Sequence, residues 1–155
     1  MTIKLEFTDN AFCATAIIES DESMAEKSFA FILNNDLSIS EIMCNGKKIS
    51  YEKVSEEKPS FRSISQKIVL QSKDNIYNIV IKYSGSVSFS IENNSCWYNI
   101  ITSDIKSLSW YSVWYPQETS IKIDHDKVIL LNGSDYFLVK GVFDETRNIW
   151  EYGDK

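Results

Sequence analysis

Apolar and polar residues alternate along most of this chain with a period of two. Ile3, Leu5 and Phe7 alternate with Lys4, Glu6 and Thr8. A strand sends successive side chains to opposite faces, so this pattern predicts a strand with one buried face. Asp9-Asn10 is turn chemistry, and Phe12, Ala14, Ala16 and Ile18 resume the alternation. Residues 2–19 therefore read as a hairpin. Ser20 to Glu26 is polar and reads as a loop or one helical turn. Phe29, Phe31 and Leu33 form the next set, closed by Asn34-Asn35-Asp36, whose residue types tolerate left-handed dihedrals. Leu37 and Ile39 open another strand. Its phase slips at Ile42, which predicts a bulge near Ser40–Glu41. Asn45-Gly46 is the strongest short hairpin signal and should return the chain through Lys48 to Val54.

Glu52 to Ser60 is charged, contains Pro59 and reads as a loop. Ile64 to Leu70 is the next strand, and Ser72-Lys73-Asp74-Asn75 the next turn. Tyr77, Ile79, Ile81 and Tyr83 then alternate with Asn78, Val80 and Lys82. Ser84-Gly85-Ser86 turns into Val87, Phe89 and Ile91, and Asn93-Asn94-Ser95 into Cys96 to Ile101. Further on, Ile121 and Ile123 make a short strand, Val128 to Leu131 an apolar run, and Tyr136 to Phe143 the last strand. Asp144 to Lys155 reads as polar apart from Ile149, Trp150 and Tyr152. No segment carries a 3.6-residue apolar period. About a dozen short strands separated by turn signals predict an all-β, antiparallel β-sandwich folded as a single domain over residues 1–155.

One stretch is apolar on both faces: Trp110-Tyr111-Ser112-Val113-Trp114-Tyr115-Pro116. Aromatic and β-branched residues suit a pleated surface, so the stretch reads as a strand ended by Pro116. Trp110, Ser112 and Trp114 share one face, and Tyr111, Val113 and Tyr115 the other. A strand apolar on both sides is covered on both sides, by a second sheet or by another domain. Trp110, Tyr111, Trp114, Tyr115 and Pro116 are thus the candidate interaction surface.

Composition narrows the chemistry. The 155 residues carry a net charge of −6 and no Lys/Arg cluster, whereas nucleic-acid binding needs a basic footprint. No apolar run approaches the ~18 residues that span a bilayer. The alternating N-terminus lacks the continuous apolar core of a signal peptide, so a cytoplasmic location is expected. Cys13, Cys44 and Cys96 are distant and odd in number, which reads as reduced, buried thiols.

Catalytic constellations are missing. His125 is the only histidine. Asp124-His125-Asp126 offers neighbours that a strand points to opposite faces, and a closed zinc site needs four ligands. No Gly-x-Ser-x-Gly elbow or Cys-x-x-Cys pair occurs. No catalytic residue, metal ligand or cofactor site is assigned. Trp and Tyr on a sandwich surface also stack on ligands, so Trp97, Tyr111, Tyr115 and Trp150 define an alternative: a stand-alone binder of carbohydrate or peptide.

Several of these pieces occur in a meaningful order. Phe31-Ile-Leu-Asn34 precedes Leu37-Ser-Ile-Ser-Glu-Ile42 and Asn45-Gly46; Ile79-Val-Ile-Lys-Tyr-Ser-Gly85 and Trp114-Tyr-Pro116 follow. The set resembles the N-terminal β-sandwich domain of the aminopeptidase N family of zinc metallopeptidases, over residues 1–143. In a bacterial branch of that family a Trp-Tyr-Pro follows the Tyr-x-Gly strand end. The resemblance implies a β-sandwich that packs against a downstream catalytic domain and helps shape its cleft. The family's chemistry lies in that later domain, on a His-Glu-x-x-His helix that binds zinc. One histidine cannot supply it, so this chain alone is not expected to be an enzyme; zinc would belong to a parent protein. The family's first domain also lends a Gln or Glu to substrate recognition. The matching position falls near Lys106, where neither occurs, and the role is not carried over.

Overall fold

Two sheets share one apolar core. The computed structural model describes residues 1–20, 26–54, 65–86, 99–101, 106–108, 113–118, 126–130, 142–144 and 149–152. Its strands in chain order are β1 (Thr2–Phe7), β2 (Phe12–Glu19), β3 (Glu26–Asn34), β4 (Ser38–Cys44), β5 (Lys47–Lys48), β6 (Tyr51–Val54) and β7 (Ser65–Ile76). Then come β8 (Asn78–Gly85), β9 (Asn99–Ile101), β10 (Lys106–Leu108), β11 (Gln117–Glu118), β12 (Asp126–Leu130), β13 (Val142–Asp144) and β14 (Ile149–Tyr152). No helix occurs among the described residues, so none is long and apolar enough to cross a membrane.

The larger sheet runs β13-β14-β12-β1-β2-β8-β4-β5 and the smaller β11-β3-β7-β6; β9 and β10 pair separately. The alternation read from sequence decides which side chains enter the core. Ile3 and Leu5 of β1, Phe12, Ala14, Ala16 and Ile18 of β2, and Ile79, Ile81 and Tyr83 of β8 point inward. Phe29, Phe31 and Leu33 of β3 and Ile68 and Leu70 of β7 meet them from the smaller sheet. Ile32 is also fully buried but lies outside this cluster, so β3 is covered on its second face as well. The all-β sandwich is therefore as expected, with one correction: β1 pairs with β12 in parallel, Ile3 opposite Val128. A parallel neighbour must come from a distant part of the chain, which local alternation does not signal.

The turns show where local chemistry was sufficient. Asn45 and Gly46 both take positive φ, 50° and 76°, and close the β4–β5 hairpin. The β4–β8 register jumps between Ile39 and Glu41, so Ser40 is the bulge residue. Ser40 Oγ donates to the Lys82 carbonyl, and Glu41 pairs with Lys82 at 2.8 Å. That hydrogen bond, then the charge of Lys82, holds the Glu41 carboxyl below its usual range.

Four readings need correction. The return strand does not run from Lys48 to Val54. Lys47–Lys48 stays in the larger sheet while Tyr51–Val54 joins β7 in the smaller. Ile49 turns the corner, its N–H held by the Ile42 carbonyl and its side chain packed on the core. The start of the presumed charged loop, Glu52 to Val54, is thus strand. Ser72 to Asn75 is not a turn between strands but a bulge inside β7: Ser28 faces Gln71, whereas Glu26 faces Ile76. Ser72 Oγ accepts the Asp74 N–H within it, so the turn residues do form their local bond. β14 forms a strand where the sequence reads as a polar tail. The predicted segments at 21–25, 55–64, 87–98, 121–125 and 131–141 lie outside the described residues.

Among the described residues, Cys13 and Cys44 are free thiols, and of these two only Cys44 is buried. Cys13 faces solvent because strand alternation sets it opposite the Phe12–Ala14 face, which corrects the expectation of buried thiols throughout. Burial pushes the Cys44 thiol up, so less thiolate forms at a given pH. Iodoacetamide at pH 8 is expected to label Cys13 well before Cys44, with Cys44 catching up only as the pH rises or the chain unfolds. Peptide mapping by mass spectrometry reads this; equal rates in the folded state contradict it.

Gly85 has φ 152°, and a Cβ there would lie 2.7 Å from the Asp36 carbonyl oxygen and 3.1 Å from Leu37 Cδ2. Gly46 also has positive φ but opens onto free space. Gly85→Ala is therefore expected to cost about 2–4 kcal/mol, from backbone strain plus contact. Gly46→Ala carries only the left-handed penalty of about 1–2 kcal/mol. Urea denaturation separates them, and equal costs would contradict the close approach at Asp36.

Candidate functional site

The site is built on the end of β3. Asn34 is buried, with 3% of its surface exposed. Its N–H donates to the Val113 carbonyl at 2.9 Å, and its Oδ1 accepts the Asp36 N–H at 2.8 Å. Its carbonyl accepts Gln66 Nε2 at 3.1 Å and the Leu37 N–H at 3.2 Å. Gln66 Nε2 also reaches the Leu37 carbonyl. These bonds satisfy polar groups that would otherwise be costly to bury.

The chain segment Val113–Glu118 is docked along β3 by this network. Gln117 pairs with Ile32 and Glu118 with Phe31, so β11 forms the edge of the smaller sheet. Between the Asn34–Val113 bond and this short ladder, Val113 takes φ 53°. A β-branched residue with positive φ is strained by about 1–3 kcal/mol. The predicted strand thus does not extend to Tyr115: Trp114, Tyr115 and Pro116 form a bend. Aromatic strand propensity gives way here to the burial of particular rings.

Trp114 is 8% exposed and meets Phe12 edge-on, with centroids 6.1 Å apart. Phe12 also packs edge-on against Tyr83, at 6.3 Å, and against Phe7. Tyr115 leans on Trp114 at 5.1 Å and is half-buried. Pro116 is fully buried. Each such ring pair adds about 0.5–1.5 kcal/mol beyond its burial. The Tyr83 hydroxyl is enclosed and has no hydrogen-bond partner among the described residues. Burial, and then Tyr115, pushes its ionisation far above the usual tyrosine range, so it stays neutral.

Of the five candidate surface residues, Trp114 and Pro116 therefore lie inside and Tyr115 at the rim. Trp110 and Tyr111 lie outside the described residues, as do Trp97, His125 and Cys96. Lys106 falls in β10. Among the described residues, no three His, Cys, Asp or Glu side chains converge as a metal site.

A second constellation escaped the sequence reading. Asn45 clamps the β4–β5 turn to the start of β8, accepting the Tyr77 and Asn78 N–H groups on Oδ1 and donating from Nδ2 to the Asn75 carbonyl. The clamp brings Lys47, Lys48, Lys73 and Tyr77 around one cleft. Residues 47 and 73 are too far apart in sequence for any local signal to link them.

No family model matches the sequence, and no curated protein matches it. Solved structures do match its fold. An M1 zinc metallopeptidase from Deinococcus radiodurans, bound to a Tyr-Ser-Ala substrate, is similar with a TM-score of 0.60 at 10% identity, over 97% of this chain and 36% of that one. A two-domain M1 zinc metallopeptidase bound to L-arginine gives 0.55 at 11% identity, again over 97% and 36%. Leukotriene A4 hydrolase from Saccharomyces cerevisiae gives 0.54 at 12% identity, over 97% of this chain and 25% of that one. The likeness is one of fold, as expected for the N-terminal sandwich of such peptidases, and this chain spans a quarter to about a third of the length of the structures it resembles.

Proposed function

We propose that this chain is a non-catalytic β-sandwich module that packs against, and helps shape the cleft of, a zinc aminopeptidase catalytic domain outside its own sequence. The observation that carries this reading is the coverage. Nearly the whole chain, 97%, superposes on M1 metallopeptidase structures but accounts for only 36% of them. The single histidine agrees, because a His-Glu-x-x-His zinc site needs two. The contact surface is the Trp110–Pro116 stretch. Buried Trp114 and Pro116 form its support, and Tyr115 at the rim its accessible part. Strain at Val113 fits this role, since left-handed backbone persists only where surrounding contacts hold it and is enriched at interaction sites. Burial of Trp114 also favours packing over an aromatic platform for a free sugar or peptide.

An antibody to this chain is expected to detect, in an extract of the source cells, a protein several times heavier than 17.9 kDa. The 155-residue chain itself is expected to bind no zinc by elemental analysis and to release no N-terminal amino acid from peptides. A native band at 17.9 kDa, or stoichiometric zinc in the purified chain, overturns the reading.

Trp114 as support makes its own prediction. Trp114→Ala is expected to cost about 3–5 kcal/mol in urea denaturation, as for a ring removed from a core. Tyr115→Ala is expected to cost about 1 kcal/mol. The reverse order would place Trp114 on the surface.

A further inference from the structure

At the far end of β4, turns from both sheets enclose a cleft of about 540 Å³. That volume lies in the ~300–1,000 Å³ range of small-molecule sites, and the cleft is about half open to solvent. Its walls are Asn45 with Lys47 and Lys48, the β7 bulge with Lys73 and Asp74, and Tyr77. The frame is fixed by hydrogen bonds. Asn45 Nδ2 reaches the Asn75 carbonyl at 2.7 Å, and Oδ1 holds the Tyr77 and Asn78 N–H groups at 3.1 Å each. The Asn45 N–H itself donates to the Asn78 carbonyl at 2.8 Å.

The charge at this frame runs against the rest of the molecule. The chain carries 22 acidic and 16 basic residues, yet three lysines and one aspartate line this cleft. Lys47, Lys48 and Lys73 form no ion pair among the described residues. Glu41, whose carboxyl also feels the charge of Lys48, is already paired with Lys82. Tyr77 is 45% exposed, one of the two large apolar side chains left open to solvent among the described residues. Asp74 offsets one of the three lysine charges, and a multivalent anion would neutralise the positive charge that remains. Lysines are point-charge donors suited to phosphate oxygens, and the Tyr77 hydroxyl and Ser72 Oγ add uncharged donors at the same rim.

We infer that this cleft binds a compact anion of the pyrophosphate class, through Lys47, Lys48 and Lys73, with Tyr77 beside it. The inference is independent of any peptidase partner, since the cleft lies at the opposite end of the β4 and β7 turns from the Asn34–Val113 contact.

The test is an NMR titration of the full 155-residue chain with inorganic pyrophosphate at low ionic strength, with amide shifts followed residue by residue. Saturable shifts are expected at Lys47, Lys48, Lys73 and Tyr77, weakening steeply as sodium chloride is added. The double variant Lys47→Ala/Lys48→Ala and the single variant Lys73→Ala should each weaken binding about fivefold or more, and Asp74→Asn should strengthen it about twofold. Lys73→Arg should retain binding. All these side chains are exposed, and peak dispersion in each spectrum reports the fold. Shifts that grow linearly without saturation, shifts shared with remote lysines such as Lys4 and Lys27, or unchanged affinity in the lysine variants would each overturn the inference.

Discussion

Asn34 is the buried polar residue on which three distant segments converge. It ends β3, starts the turn to Leu37, receives Gln66 from β7 and fixes the Val113 carbonyl. A buried amide left unpaired costs about 1–3 kcal/mol, so these segments must arrive together or not at all. The consequences spread outward. With Val113 pinned, Trp114 falls onto Phe12, Pro116 is enclosed and β11 is laid along the edge of β3. The positive φ of Val113 is local strain offset by this convergence.

The aromatic group at this corner ties the two sheets to the same event. Phe12 belongs to β2 of the larger sheet, while Trp114 is carried on the segment that edges the smaller one. Tyr83 of β8 stands on the other side of Phe12. Its enclosed hydroxyl has no partner among the described residues, a cost set against its ring packing. The opposite end of the sandwich is held by Asn45 rather than Asn34. Polar side chains in turns, not apolar burial alone, thus fix how β4, β7 and β8 meet.

Fold and chemistry part company in this protein. The architecture resembles that of part of the M1 zinc metallopeptidase and leukotriene A4 hydrolase structures at 10–12% identity, a likeness that shows the fold alone. A sandwich hosts many functions, and what it does depends on residues grafted upon it. The residues proposed for such roles here are rim aromatics at one end and lysines at the other. Among the described residues, no group of three or more His, Cys, Asp or Glu side chains is placed to hold a metal ion.

Among the described residues, the sequence by itself determined the alternation of the first strands and of β8, and the turns at Asp9-Asn10, Asn34–Asp36 and Asn45-Gly46. Ile3-Leu5-Phe7, Phe12-Ala14-Ala16-Ile18 and Ile79-Ile81-Tyr83 all face the core as their period requires, because a pleated strand leaves only one face for apolar groups. Asn45-Gly46 makes its hairpin, and Ser40 its bulge, because these depend on dihedral preferences and phase within a few residues. Tertiary structure decided the rest. The parallel β1–β12 pair, the crossing at Ile49, the bend at Val113–Pro116 and the meeting of Lys47 with Lys73 each join residues that are remote in the chain. At Val113 the local preference for a strand was overridden, because a buried carbonyl bonded to Asn34 and a ring packed on Phe12 outweigh the propensity of one extended residue. Local patterns encode which face is buried; only the assembled sheets settle which distant groups share it.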